Sequence, residues 1–120
     1  MDNLSFVDLS ILSWNVQGLG DPDKCDIVLN LIASTDPVIA CVQETTLATF
    51  PACKARSFLP GRLASFVSKD ADGSRGGITT AWDGRLFSLV SSFASAFMLS
   101  TSFSSTTTSH SFTITNVYAP

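Results

Sequence analysis

Charge is scarce in this sequence and unevenly placed. Of its 120 residues 14% are charged, and ten acidic against seven basic residues give a net charge of −3. The Lys and Arg residues are scattered from Lys24 to Arg85. Tight nucleic-acid binding needs a basic patch that displaces counterions, so this balance argues against such binding by the chain alone. The charge balance is still compatible with an enzyme that contacts a few phosphates and uses metal ions to offset their charge.

Long apolar runs are also missing. No Asp, Glu, Lys or Arg follows Arg85, and His110 is the only histidine in that stretch. Ser and Thr interrupt the apolar residues every two or three positions, whereas a membrane helix needs about 20 mostly apolar residues. The N-terminus shows no basic region followed by an apolar run. We therefore expect no membrane partner and an intracellular location.

Cysteine is rare, and the spacing of the cysteines does not indicate a metal site or a disulfide. The three cysteines, Cys25, Cys41 and Cys53, form no CxxC pair, so neither a zinc site nor a disulfide framework is indicated. We interpret all three as small apolar residues in a reducing compartment.

What is present is core-forming material: 45% of the residues are hydrophobic. Leu9–Val16 has the composition of a strand, Asp21-Pro22 marks a helix start, and Asp36-Pro37 ends that helix. Val38–Val42 is short and rich in β-branched residues, which predicts a buried strand. Between them an apolar stripe at helical spacing consists of Cys25, Val28, Leu29 and Ile32. The pattern predicts a right-handed βαβ unit.

The rest of the chain is predicted to be mostly strand. A short helix is placed within Thr46–Ser57, Asp70–Gly77 is a turn by composition, and Asp83-Gly84 is a hairpin signal. From Leu86 onward apolar residues recur with a period of two, which predicts strands with one buried face. The predicted strands are Leu63–Ser68, Ile78–Trp82, residues 86–92, residues 96–104 and Phe112–Tyr118. The fold class is α/β, with sheets packed together and helices outside.

Two polar residues follow the strands of the predicted βαβ unit. Asn15 lies near the end of the first strand, and Glu44, the only glutamate, ends the second. Parallel strands bring their carboxyl ends to one sheet edge, where functional side chains gather. An amide beside a carboxylate suits a hard cation such as Mg²⁺. The alternatives are a solvated loop glutamate or helix cap for Glu44 and a turn-forming residue for Asn15.

Four short segments identify a family when taken together: SWNVQGLGDPDK, CVQET, RGGITTAWD and ITNVYAP. In this order and at these intervals they resemble the endonuclease/exonuclease/phosphatase superfamily, and within it the apurinic-endonuclease-like domain of plant LINE-type retrotransposons. The resemblance runs from about Ile11 to Pro120. It implies the N-terminal half of a four-layer α/β sandwich, with residues 1–8 as an extension and 9–120 as a partial domain.

The same resemblance implies a reaction and a site. The family cleaves DNA phosphodiesters with Mg²⁺ or Mn²⁺, and a nuclear location is expected for the full element. Asn15 matches the asparagine near metal and phosphate, Glu44 matches the metal-binding glutamate, and Tyr118 matches the tyrosine that hydrogen-bonds the scissile phosphate. Arg75 falls in a matching loop, with a phosphate contact as an additional expectation. Without the resemblance, Tyr118 is an aromatic residue at the end of a strand.

The family mechanism also uses an Asp-x-Asn pair and an Asp-His pair, which lie beyond the segment ending at Pro120. We therefore expect a truncated domain without nuclease activity alone, since such groups act as a unit. An uncharged, Phe-rich sheet edge would be exposed and would favour self-association. Two alternatives stay open: a non-catalytic interaction module, and half of a phosphatase or exonuclease of the same superfamily.

Overall fold

A computed structural model describes residues 9–73 and 75–118, and the βαβ start predicted from the sequence is present in it. Strand β1 is Ile11–Asn15, helix α1 is Pro22–Thr35, and strand β2 is Ile39–Gln43. Helix α1 begins as predicted, because the Asp21 side chain accepts a hydrogen bond from the Asp23 N–H at 2.9 Å. It ends at Asp36, whose left-handed backbone turns the chain into β2.

The first sheet contains four strands in the order β1-β2-β4-β3. Here β3 is Ser65–Lys69 and β4 is Ile78–Trp82. Strands β1 and β2 are parallel, and the β2–β4 and β3–β4 pairs are antiparallel. Every residue of β2 and β4 is buried, so these two strands form the centre of the domain.

The second sheet contains three antiparallel strands in the order β5-β6-β7. They are β5, Phe87–Ser95; β6, Met98–Ser105; and β7, Ser111–Val117. The predicted hairpin at Asp83-Gly84 is wrong, because β4 and β5 belong to different sheets. The turn that starts at Asp83 instead carries the chain from the first sheet to the second. A turn signal marks a reversal but does not say which strands will pair.

The described residues form three layers. Helix α1 and helix α2, Ala52–Phe58, cover one face of the first sheet together with a short 3₁₀ helix, Gly61–Leu63. The second sheet covers the other face, where Trp82 stacks edge-on against Phe103 with ring centroids 5.0 Å apart. Helix α2 begins later than predicted, because Pro51 occupies its N-cap position.

Strand β5 departs from the single buried face predicted for it. Phe87 is 2% exposed, but Leu89 is 45% and Phe93 is 63% exposed. The pairing register of β5 with β6 shifts between Leu89 and Ser91. A one-residue shift sends every later side chain to the opposite face, so Phe93 pairs with Ser100 on the outer face of the sheet. In β6 the prediction is confirmed, since alternate residues from Leu99 to Phe103 are buried.

Other single residues also test the sequence interpretation. Cys25 and Cys41 are buried as predicted, whereas Cys53 is exposed. Burial raises the pKa of the Cys41 thiol to about 11, which keeps it protonated as a core residue. His110 is exposed. Within residues 9–73 and 75–118, neither α-helix has the length and apolar character needed to cross a membrane.

Candidate active site

The predicted site residues lie at one end of the two sheets. In the parallel register Asn15 pairs with Gln43, so β1 and β2 end side by side and Glu44 follows immediately. Strand β7 ends at the same side of the sandwich, because Asn116 near its end accepts a hydrogen bond from Gln43, the last residue of β2, at 2.8 Å. The structure therefore brings Asn15, Glu44 and Tyr118 to a common edge. The βαβ connection predicted this for Asn15 and Glu44, whereas Tyr118 was expected there only from the family resemblance.

Asn15 also performs the turn-forming role that was the alternative for it. Its Oδ1 accepts a hydrogen bond from the Gln17 N–H at 3.1 Å. Gln17 has a left-handed backbone, with φ 56°, so this bond stabilises a sharp turn after β1. The Asn15 side chain is exposed, and its carbonyl oxygen keeps a second lone pair for another partner. The turn and a ligand role are therefore compatible.

Glu44 has an unusual backbone that is held from two sides. Its φ is 59°, in the left-handed region that residues other than Gly rarely adopt. Its carbonyl accepts a hydrogen bond from the Gly18 N–H at 2.8 Å. On the other side, the N–H groups of Thr45 and Thr46 donate to Gly77 and Gly76 at 3.2 Å and 2.8 Å. Such backbone conformations persist only where their surroundings enforce them, and they cluster at functional sites.

The Gly76-Gly77 pair explains the RGG segment of the sequence. Both glycines have positive φ, 77° and 91°. A Cβ on Gly77 would lie 2.2 Å from Oγ1 of Thr45, and one on Gly76 would lie 3.8 Å from Cε2 of Tyr118. The positive φ favours glycine at both positions, and at Gly77 the close approach of Thr45 also leaves no room for a Cβ. The pair therefore forms the contact between the Glu44 loop on one side and the Tyr118 ring on the other.

A cavity of about 470 Å³ opens beside Tyr118. Arg75, which is exposed, lies on its wall next to Gly76. Strand β3 and the turn after it contribute charged groups of both signs, and the β5–β6 turn contributes an aromatic ring. These further lining residues include Lys69, Asp70, Asp72, Ala96 and Phe97. The structure thus places Arg75 and Tyr118 on one cavity, adjacent to the edge that carries Glu44.

A buried polar network behind this edge was not predicted. Gln43 is 7% and Asn116 is 2% exposed. The Gln43 Nε2 donates to Asn116 Oδ1 at 2.8 Å, and the Asn116 Nδ2 donates to Thr79 O at 2.9 Å and Thr80 Oγ1 at 3.1 Å. The sequence did contain a signal for it, because Asn116 occupies a position on the same face of the last strand as the apolar residues Phe112 and Ile114. The network joins the two sheets directly beneath Glu44, so it fixes the relative position of their ends.

The oxygen donors at the edge suit a hard cation. They are a carboxylate from Glu44 and an amide oxygen from Asn15, and no group of three His, Cys, Asp or Glu residues suited to a metal occurs in the described part of the chain. That excludes a zinc-like cage built from these residues. Mg²⁺ typically takes one or two protein carboxylates and keeps several waters or phosphate oxygens. By donor chemistry, the residues present fit such an ion.

A second charged cluster lies at the opposite end of the sheet. The Asp83 carboxylate is 2% exposed and accepts hydrogen bonds from the Arg85 backbone N–H, Nε and Nη2 at 2.9, 3.1 and 2.8 Å. Arg62 lies 3.7 Å away and also pairs with Asp36. The Arg85 side chain lowers the pKa of Asp83 below its usual value. Because the Asp83 N–H donates to Val38 just before β2, this cluster is structural and remote from Glu44.

Comparisons with known proteins were made from sequence and from structure. The sequence matched no protein-family model, and it matched no curated protein. The structure is similar to an AP endonuclease from Leishmania major, with a TM-score of 0.69 and 21% identity over 91% of this chain. It is also similar to the APE2 catalytic domain of Xenopus laevis, with a TM-score of 0.64 and 15% identity over 93% of this chain.

An AP endonuclease from Archaeoglobus fulgidus gives a TM-score of 0.51 and 18% identity over 78% of this chain. The chain spans 39%, 45% and 36% of the lengths of these three structures, in the order given. Two sheets with helices on one outer face, over most of this chain, agree with the fold expected from the four sequence segments. The described part of the chain therefore has a fold similar to that of these AP endonuclease structures.

Proposed function

We propose that this chain carries part of the active site of a Mg²⁺-dependent DNA endonuclease of the LINE retrotransposon type, which hydrolyses phosphodiester bonds. The observation that carries the proposal is the clamped, left-handed Glu44 beside Asn15 at the carboxyl edge of β1 and β2. The AP endonuclease fold supports the nuclease class. The retrotransposon type is supported by the four sequence segments alone.

In this proposal Glu44 and Asn15 hold the metal ion, with Mn²⁺ as a substitute for Mg²⁺. When bound, the ion supplies Lewis-acid stabilisation of charge on the phosphate. Tyr118 donates a hydrogen bond from its phenol to a phosphate oxygen. Arg75, on the wall of the same cavity, attracts the phosphate by charge.

The residues assigned here position a phosphate but do not activate water. The assigned groups are the Glu44 carboxylate, the Asn15 amide, the Tyr118 phenol and the Arg75 guanidinium. None of them is assigned as the general base that activates the attacking water, and none takes the place of the histidine of the family's Asp-His pair. Because catalytic groups act as a unit, losing those roles removes most of the rate. We therefore propose that these 120 residues bind metal and phosphate weakly and do not cleave DNA on their own. EDTA-sensitive nicking of supercoiled plasmid by the purified chain in Mg²⁺ would refute this.

Metal titration of the full chain tests the site itself. Mn²⁺ binding is followed by electron paramagnetic resonance for the wild type, Glu44→Gln, and Asp26→Asn as control. Asp26 is an exposed carboxylate on α1, so its substitution removes one charge without touching the edge. Glu44→Gln keeps the shape of the side chain and should weaken binding about tenfold or more, equivalent to about 1.4 kcal/mol. Equal affinities in the two variants would contradict a metal role for Glu44.

A second candidate function is an interaction module, and strand β5 favours it. This edge strand has no charged residue, and Val90 and Phe93 are 62% and 63% exposed. Sheet edges of soluble proteins usually carry charges or Pro that block pairing with another chain. Self-association through β5, with no metal binding at Glu44, is the result that would favour the module over the enzyme.

A further inference from the structure

The turn between β5 and β6 presents an aromatic side chain at the site. Ala96 and Phe97 form this turn, since Ser95 and Met98 are the last paired residues. Phe97 is 52% exposed, although tight turns favour Gly, Asn and Asp. The Tyr118 N–H donates to the Phe97 carbonyl at 2.8 Å. That bond fixes the turn to the end of β7, so Phe97 and Tyr118 keep a constant relation to each other.

Both aromatic residues line the 470 Å³ cavity that also contains Arg75. Its volume lies within the range of small-ligand sites, about 300–1,000 Å³. Lys69 and Arg75 provide positive charge on the wall, while Asp70 and Asp72 provide negative charge. The acids disfavour a ligand that is a cluster of phosphates. The mixed wall favours a ligand with one phosphate and a flat, neutral part.

The geometry points to a nucleotide-binding subsite in which one base of a DNA strand stacks on Phe97. This inference rests on the proposed nuclease function, and it specifies that the cavity binds one nucleotide of the DNA strand. The phosphate of that nucleotide lies toward Arg75 and Tyr118, on the side of Gly76. Stacking on an exposed aromatic ring is tolerant of sequence, because every base has a π-face. Phe97 is thus a binding residue that contributes affinity without base specificity.

Phe93 provides a matched control on the same hairpin. It is 63% exposed, comparable to Phe97. It pairs with Ser100 on the outer face of the second sheet and is not among the residues that line the cavity. A general effect of removing an exposed Phe, through solubility or self-association, should appear equally in the two variants. An effect of stacking should appear at Phe97 alone.

The experiment compares two labelled single-stranded oligodeoxynucleotides of equal length, one with thymine bases and one built from abasic units. Affinity for the full chain is measured by fluorescence anisotropy at low ionic strength in EDTA, so that no metal contributes. The wild type should bind the thymine strand at least about fivefold more tightly, as expected for stacking of one base. Phe97→Ala should abolish this difference, and Phe97→Trp and Phe93→Ala should keep it.

Three results would overturn the inference. One is equal binding of the two strands by the wild type, including no measurable binding of either. Another is a preference for bases that survives in Phe97→Ala, and the third is a preference that is lost equally in Phe93→Ala. The proposed function is judged separately by Mn²⁺ binding and Glu44→Gln. A base preference without a metal site would refute the nuclease assignment alone, and a metal site without a base preference would refute the subsite alone.

Discussion

Gly77→Ala should destabilise the protein more than any other glycine-to-alanine change at the site. Gly77 has φ 91° and accepts the Thr45 N–H at 3.2 Å, which holds the Glu44 loop against β4. An added Cβ would lie 2.2 Å from Thr45 Oγ1 and 3.2 Å from the Thr46 backbone nitrogen. Thr45 is 1% exposed, so its side chain cannot turn out into solvent to relieve this contact.

The expected loss has two parts. An L-residue in the left-handed region costs about 1–2 kcal/mol. Overpacking against a buried side chain and backbone adds about 1–3 kcal/mol. A total of about 3 kcal/mol in the free energy of unfolding should lower the melting temperature by about 10 °C or more for a chain of this size.

Two other glycines separate these contributions in thermal unfolding followed by circular dichroism. Gly73 has φ 64° and nothing within 4 Å of an added Cβ. Gly73→Ala should therefore lower the free energy of unfolding only through the left-handed backbone, by about 1 kcal/mol. At Gly20, which has neither a positive φ nor a contact, the change should be neutral or slightly stabilising. If Gly77→Ala has the same melting temperature as Gly73→Ala, the close contact with Thr45 has no energetic effect. If its melting temperature equals that of Gly20→Ala, neither the positive φ nor the close contact at Gly77 affects stability, and the prediction is wrong.

Three further predictions concern other parts of the fold. Asn116→Ala should lower the free energy of unfolding in urea by about 2–3 kcal/mol, because it leaves buried partners unpaired, while the exposed helix residue Asn30→Ala should change it by less than about 1 kcal/mol. Asp83→Asn should destabilise the protein most above about pH 5. The folded-state pKa of Asp83 is lowered, so its contribution is present above the ordinary carboxyl pKa and is lost as pH falls through the folded value. Phe93→Lys should reduce self-association in sedimentation velocity without unfolding the chain, because a charge on an exposed edge strand opposes pairing.

Each of these has an outcome that would contradict it. Equal urea midpoints for Asn116→Ala and Asn30→Ala would mean that the bonds between the sheets contribute nothing. A stability difference between wild type and Asp83→Asn that stays constant from pH 7 to pH 2 would remove the linkage to Asp83. Unchanged sedimentation of Phe93→Lys would place any association elsewhere on the surface.

The sequence predicted the βαβ start well because its signals are local. Asp21 caps a helix wherever its neighbours allow it, and Pro37 ends one by steric clash. Predictions failed where a distant partner decided the result. The turn signal at Asp83-Gly84 was correct as a turn, but the strand that follows it pairs in the second sheet. The buried face predicted for β5 was correct only at Phe87, since Leu89 is already half exposed and a register shift against β6 then turned Phe93 outward.

The same division applies to the candidate site. By itself the sequence determined the residue types, the two strand ends that carry Asn15 and Glu44, and their common edge, because a βαβ connection makes the strands parallel. Only the tertiary structure decided the left-handed, clamped backbone of Glu44, the Gly76-Gly77 contact and the cavity shared by Tyr118 and Phe97. These features depend on contacts between segments far apart in the chain. No local propensity encodes such contacts, since they exist only once distant strands have paired and the two sheets have packed together.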